Sequence, residues 1–74
     1  MENLILKRLN EFRAKENLSV NAFSKAIGMG QATVNNYFIG NRKLSFELID
    51  KTLAAFPNLS AEWLLRGIGN MYKS

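Results

Sequence analysis

Glycine placement divides the middle of this chain into short helices. Between Leu18 and Gly40 two short stretches of helical apolar spacing flank Gly28-Met29-Gly30, and Gly40 closes the second. Glycine adopts left-handed backbone without a Cβ penalty, so Gly28 reads as a helix stop in that conformation, and Gly40 as another. Ser24 lies one helical turn before Gly28, and Val34 follows it six residues later. A small residue, a glycine and an aliphatic at this spacing allow two short helices to cross closely at a fixed angle, with Val34 as the inward anchor of the second. The spacing is that of a helix-turn-helix.

The remaining segments are helical as well. Ile5, Leu9 and Phe12 recur at helical spacing over roughly residues 2–16, with a stop near Asn17. Ser19 suits the N-cap of a second helix whose apolar face is Phe23, Ala26 and Ile27, and the third helix runs from about Gln31 to Ile39. Ser45 caps a fourth, in which Phe46, Ile49, Leu53 and Phe56 form the core stripe and Glu47 and Asp50 suit the positive end of the helix dipole. Pro57 ends it, Asn58-Leu59 makes a turn, and Ser60 caps a short fifth helix that holds Trp63 and Leu64 and closes at Gly67. The expectation is an all-α domain of five helices over residues 1–67. Residues 68–74 then form a C-terminal tail, expected either to end the regulator or to start a linker toward a further domain.

What the chain lacks narrows its chemistry. It has no cysteine and no histidine, and Asp50 is its sole aspartate. That leaves no disulfide framework, thiol nucleophile, zinc finger or histidine base, so neither an enzyme nor a cofactor or metal site is expected. With no long apolar run and no signal-peptide pattern, a cytoplasmic protein without membrane association is expected.

The charge has a direction. Seven Lys and Arg against three Glu give residues 1–43 the whole net +4, while residues 44–74 balance three against three. Within the basic half, residues 26–41 carry no charge but hold Gln31, Thr33, Asn35, Asn36 and Asn41. Cations for phosphates and amides for base edges are what a reader of double-stranded DNA needs.

Phasing the third helix at about 100° per residue with Val34 inward puts Phe38 near 40° and Tyr37 near −60°, both toward the core. Ala32, Asn36 and Ile39 then face outward, with Thr33 and Asn35 on the flanks. Gln31 and Asn36 can each pair with adenine N7 and N6, and Ala32 can meet a thymine methyl. Thr33 and Asn35 fall to the DNA backbone, as do Arg42 and Lys43 in the following loop and the Ser19 and Ser45 hydroxyls at their helix starts.

Residues from about Arg8 to Leu65 resemble the lambda-repressor/Cro superfamily of helix-turn-helix domains, also called Xre-like. The likeness rests on Ile27-Gly28-Met29-Gly30-Gln31-Ala32-Thr33-Val34 with Gly40-Asn41-Arg42 after it. Pro57-Asn58-Leu59-Ser60-Ala61-Glu62-Trp63-Leu64-Leu65 and Gly67 resemble the fifth helix of phage-repressor-like bacterial members. The resemblance implies base reading by Gln31, Ala32 and Asn36, and backbone contact at or near Thr33, Asn41, Arg42 and Lys43. The chain departs from the family pattern at Val20 (often glutamine), Phe38 (frequently glutamate) and Gly30 (a serine-type cap).

These readings together predict a transcriptional repressor, bound to DNA in the nucleoid. One domain this small covers too little DNA for operator-level affinity, so a homodimer on a near-palindromic operator is expected. Trp63, Leu65, Ile68, Met71 and Tyr72 are the expected dimer surface. The rival reading is a helix-turn-helix used as a protein-interaction module without DNA. RNA is disfavoured because the aromatics phase inward rather than offering stacking platforms.

Overall fold

The computed structural model describes residues 2–73. The outermost residues of the two expected sequence units, Met1 and Ser74, lie outside the described residues. Five helices follow in order: α1 Glu2–Lys15, α2 Val20–Ile27, α3 Gln31–Phe38, α4 Phe46–Ala55 and α5 Ala61–Arg66. Among the described residues the sole extended pairing is an isolated antiparallel bridge between Leu59 and Tyr72. The fold is all-α.

Each boundary has a local cause. The Ser19, Ser45 and Ser60 hydroxyls accept from the Ala22, Leu48 and Trp63 amides, capping α2, α4 and α5. Gly28 ends α2 in the left-handed conformation (φ 76°), its N–H and that of Met29 donating to the Lys25 and Ser24 carbonyls. The same conformation at Gly40 lets the Asn41 amide reach back to the Asn36 carbonyl.

Leu9, Phe12, Phe23, Ile27, Val34, Tyr37, Leu48, Leu59 and Leu64 form the core. A run of aromatic contacts crosses it. Phe38 meets Phe23 at 5.9 Å between ring centroids, Phe23 stacks on Phe56 at 5.8 Å, and Phe56 meets Phe12 edge-on at 5.0 Å. The Tyr72 ring, 6.0 Å from Phe12, completes the run at the C-terminal end. Such pairs add about 0.5–1.5 kcal/mol each beyond the area they bury. The third helix is thereby fixed to the rest of the domain through its inward face.

Three assignments from sequence need correction. Phe46, expected in the α4 stripe, is 78% exposed, whereas Leu48 and Thr52 are fully buried. Phe46 is the first helical residue after the Ser45 cap, and two residues later Leu48 points about 200° away around the helix. Thr52 tolerates burial because its hydroxyl donates to the Leu48 carbonyl at 2.7 Å. In α2, Ala26 is exposed and Ser24 takes its place in the core, its hydroxyl bonded to the Val20 carbonyl at 2.6 Å. Leu59, expected in a turn, is 1% exposed and belongs to the core.

The tail turns back on the domain after Gly67. The Ser60 amide donates to the Met71 carbonyl and the Lys73 amide to the Asn58 carbonyl, both at 2.8 Å. The Tyr72 hydroxyl donates to the Glu16 carboxylate in the turn just past α1. Arg8 adds a second brace, reaching from α1 to the Leu64 carbonyl in α5 at 3.1 Å.

Candidate nucleic-acid interface

The two helices on either side of Gly28 cross closely because the groups at the crossing are small or fully buried. Ser24 and Val34 are both buried there, and α2 packs chiefly against α3 and α4. That fixes α3 with Val34 and Tyr37 inward and its opposite side open. Gln31, Ala32 and Asn35 are exposed, while Thr33 and Asn36 are half-buried on the flank of that surface. Ile39, next in the turn, is 60% exposed.

The start of α3 is bare. Gly30 serves as N-cap in extended conformation and offers no side-chain acceptor, and no acidic residue stands in the first turn. The first intrahelical amide bond at this end runs from Val34 to the Gly30 carbonyl. The amides of Gln31, Ala32 and Thr33 therefore present the positive end of the helix dipole together with the Gln31 side chain. This arrangement suits an anionic surface approached end-on.

Past the other end of α3, Asn41, Arg42 and Lys43 are exposed. The Arg42 guanidinium lies over the Tyr37 ring, 5.4 Å from its centroid. The Tyr37 hydroxyl in turn bonds the Ser45 hydroxyl at 2.6 Å, so the loop is pinned at both ends to one buried side chain. Among the described residues neither Arg42 nor Lys43 has a hydrogen-bond or ion-pair partner for its charge. Ser19 is exposed at the start of α2 with its hydroxyl already accepting from Ala22.

The basic half of the sequence is less uniform in space than along the chain. Arg8 is committed to the Leu64 carbonyl. Arg13 donates to the Asn10 side chain and the Leu18 carbonyl, and its guanidinium stacks 5.6 Å from the Phe38 centroid. Phe38 thus offers Arg13 a ring face. Lys7, Lys15, Lys25, Arg42 and Lys43 are the exposed cations of that half. The roles of Arg8, Arg13 and the Tyr37 hydroxyl escape a reading of the sequence, since each depends on a partner carbonyl, ring or hydroxyl supplied by another element.

The expected dimer residues fall into two groups. Leu65 and Ile68 are 38% and 51% exposed. Trp63, Met71 and Tyr72 are half-buried against the core. The Glu16 carboxylate beside Tyr72 raises the phenol's pKa above its ordinary value of 10.0, first by accepting its hydrogen bond, then with help from burial and the carboxylate charge. Among the described residues no group of three acidic, cysteine or histidine side chains is placed to hold a metal ion, and no helix is long and apolar enough to cross a membrane.

A family profile described as helix-turn-helix matches residues 9–64, about three quarters of the chain. No curated protein and no solved structure matches the chain. The matched span begins in α1, runs through the Gly28 turn and α3, and ends in α5.

Proposed function

The chain belongs to the helix-turn-helix family of DNA-binding regulators, of the lambda-repressor type, and on that footing we propose that it reads sequence in double-stranded DNA as a transcriptional repressor. The observation that carries this reading is the charge-free, amide-bearing side of α3, set between a bare helix start and the exposed cations Arg42 and Lys43. An acidic residue on that side would repel phosphate, and none stands at Gln31, Ala32, Asn35 or Asn36.

In this reading α3 enters the major groove and α2 lies across its mouth. Gln31 and Asn36 offer paired donor and acceptor groups to adenine, and Ala32 lets the backbone approach a thymine methyl. Thr33, Asn35, Asn41, Ser19 and Ser45 hold phosphates or sugars as neutral donors, and Arg42 and Lys43 as cations. One module of this kind covers about 600–1,000 Å² of its own surface, so two copies on a near-palindromic operator supply the remaining affinity. Leu65 and Ile68 supply the exposed apolar part of the joining surface, with Trp63, Met71 and Tyr72 behind them. Occupation of an operator excludes other proteins from the same DNA, which makes repression the direct consequence of binding. The protein then acts in the cytoplasm, at the nucleoid, with no cofactor.

Replacing Gln31 with alanine tests the assignment of readers. The variant should lose about 1–3 kcal/mol on its preferred duplex and accept other base pairs at one position. Equal losses on preferred and arbitrary duplexes would show that Gln31 holds the backbone rather than a base.

A further inference from the structure

We infer that Tyr37 is a positioning residue that sets the recognition helix and the backbone clamp in register, holding Arg42 with its ring and Ser45 with its hydroxyl; the inference rests on the DNA-reading function above. Tyr37 is 1% exposed and belongs to α3, the helix that carries Gln31 and Asn36. Its inward face is fixed by the core. The ring contact to Arg42 spans 5.4 Å and the hydroxyl contact to Ser45 spans 2.6 Å, so one rigid side chain touches both the loop after α3 and the first cap of α4.

The chemistry at Ser45 explains why the hydroxyl matters. Ser45 Oγ accepts from the Leu48 amide at 3.4 Å as the α4 cap. When the Tyr37 phenol donates to the same oxygen, both acceptor positions are filled and the serine proton is left as a donor. Ser45 is half-buried, so that proton can meet a phosphate at the edge of the loop. Arg42 lies over the Tyr37 ring with no hydrogen-bond partner among the described residues, so its N–H groups stay available to an anion. The loop between α3 and α4 has no regular structure to hold either group by itself. It is closed at its start by the amides of Gly40 and Asn41 reaching back to Tyr37 and Asn36.

A neutral-phosphate scan separates positioning from mere packing. Methylphosphonates are placed singly along a duplex that the wild-type protein binds, and affinities are compared for wild type, Tyr37→Phe, Ser45→Ala and the double variant. Tyr37→Phe keeps the buried ring and hence the fold. It should lose about 3- to 10-fold in affinity on every sequence, the effect of one hydrogen bond. It should also become insensitive to the one phosphate at which Ser45→Ala is insensitive, and the double variant should be no worse than either single change. The salt slope should stay at the wild-type value, because Arg42 still rests on the ring. Tyr37→Phe with a wild-type phosphate profile, or effects of the two changes that simply multiply, would overturn the inference while leaving the DNA reading intact. Failure of the wild-type protein to bind any duplex at low salt would remove the DNA reading itself.

Discussion

Arg13 and Arg42 count alike in the net charge, yet the structure gives them different work, and replacing each with alanine should separate stability from DNA affinity. Arg13 is held by the Asn10 side chain, the Leu18 carbonyl and the face of Phe38. The part-buried bond to Leu18 contributes about 1 kcal/mol, and the ring contact about 0.5–1 kcal/mol. The exposed pairing with Asn10 adds little. Arg13→Ala should therefore destabilise the domain by about 2 kcal/mol, lowering Tm by about 8–16 °C for a chain of this size. Its charge is already committed, so DNA binding by the folded variant should keep the wild-type salt slope. Arg42→Ala removes one exposed ring contact, which amounts to about 0.5 kcal/mol and a shift of a few degrees. It should lower the slope of log affinity against log salt by about 0.9, so that its deficit against wild type narrows about 3.5-fold between 50 and 200 mM salt. Thermal melts followed by circular dichroism give the first quantity. Fluorescence anisotropy with a labelled duplex, taken well below the melting range, gives the second. An Arg13→Ala variant whose salt slope fell as far as that of Arg42→Ala would refute the division of the basic residues drawn here.

Two further changes probe how the C-terminal part is tied to the rest. A methyl group at Gly67 would stand 2.7 Å from Arg8 Nη2 on a backbone with φ 73°, so Gly67→Ala combines left-handed strain with displacement of Arg8 from the Leu64 carbonyl. The strain costs about 1–2 kcal/mol and the lost hydrogen bond about 1 kcal/mol; urea titration should find only the strain when Arg8→Ala is already present, and an undiminished effect there would count against the brace. Because the pKa of Tyr72 is raised in the folded state, its contribution is intact below the unfolded value near 10 and is lost as pH climbs through the folded value. Denaturation midpoints of wild type should accordingly fall more steeply above pH 10 than those of Tyr72→Phe, and parallel curves would contradict the coupling to Glu16.

What the sequence discloses here is mostly what acts over one or two helical turns. The glycine stops, the serine caps and the inward phase of Val34 and Tyr37 depend on near neighbours and a fixed rotation per residue. The stripe of α4 was harder to read, because Phe46, Ile49, Leu53 and Phe56 also repeat at helical spacing. A buried threonine looks polar until its back-bond to Leu48 is known. Ser24 and Ala26 changed places for the same reason, a hydroxyl satisfied by its own helix being as buriable as a methyl. Contacts between distant segments left no local trace. Nothing near Tyr72 announces Leu59 as its partner, nothing near Arg8 points to Leu64, and Tyr37 gives no sign of Ser45 in its own helix. The net charge pointed toward an anion while concealing that two of its arginines are structural.

The outward side of α3 is the centre of the account, and selection from randomised duplex DNA addresses it most directly. The purified protein is mixed with the pool at low salt and the bound fraction is sequenced, with affinity for the whole pool measured beside it. The account predicts an enriched motif, with two half-sites about 10 base pairs apart where two copies bind together. Binding without any enrichment would reduce the protein to a backbone binder. No affinity for the pool at low salt would contradict the DNA reading altogether and leave the helix-turn-helix as a surface for another protein.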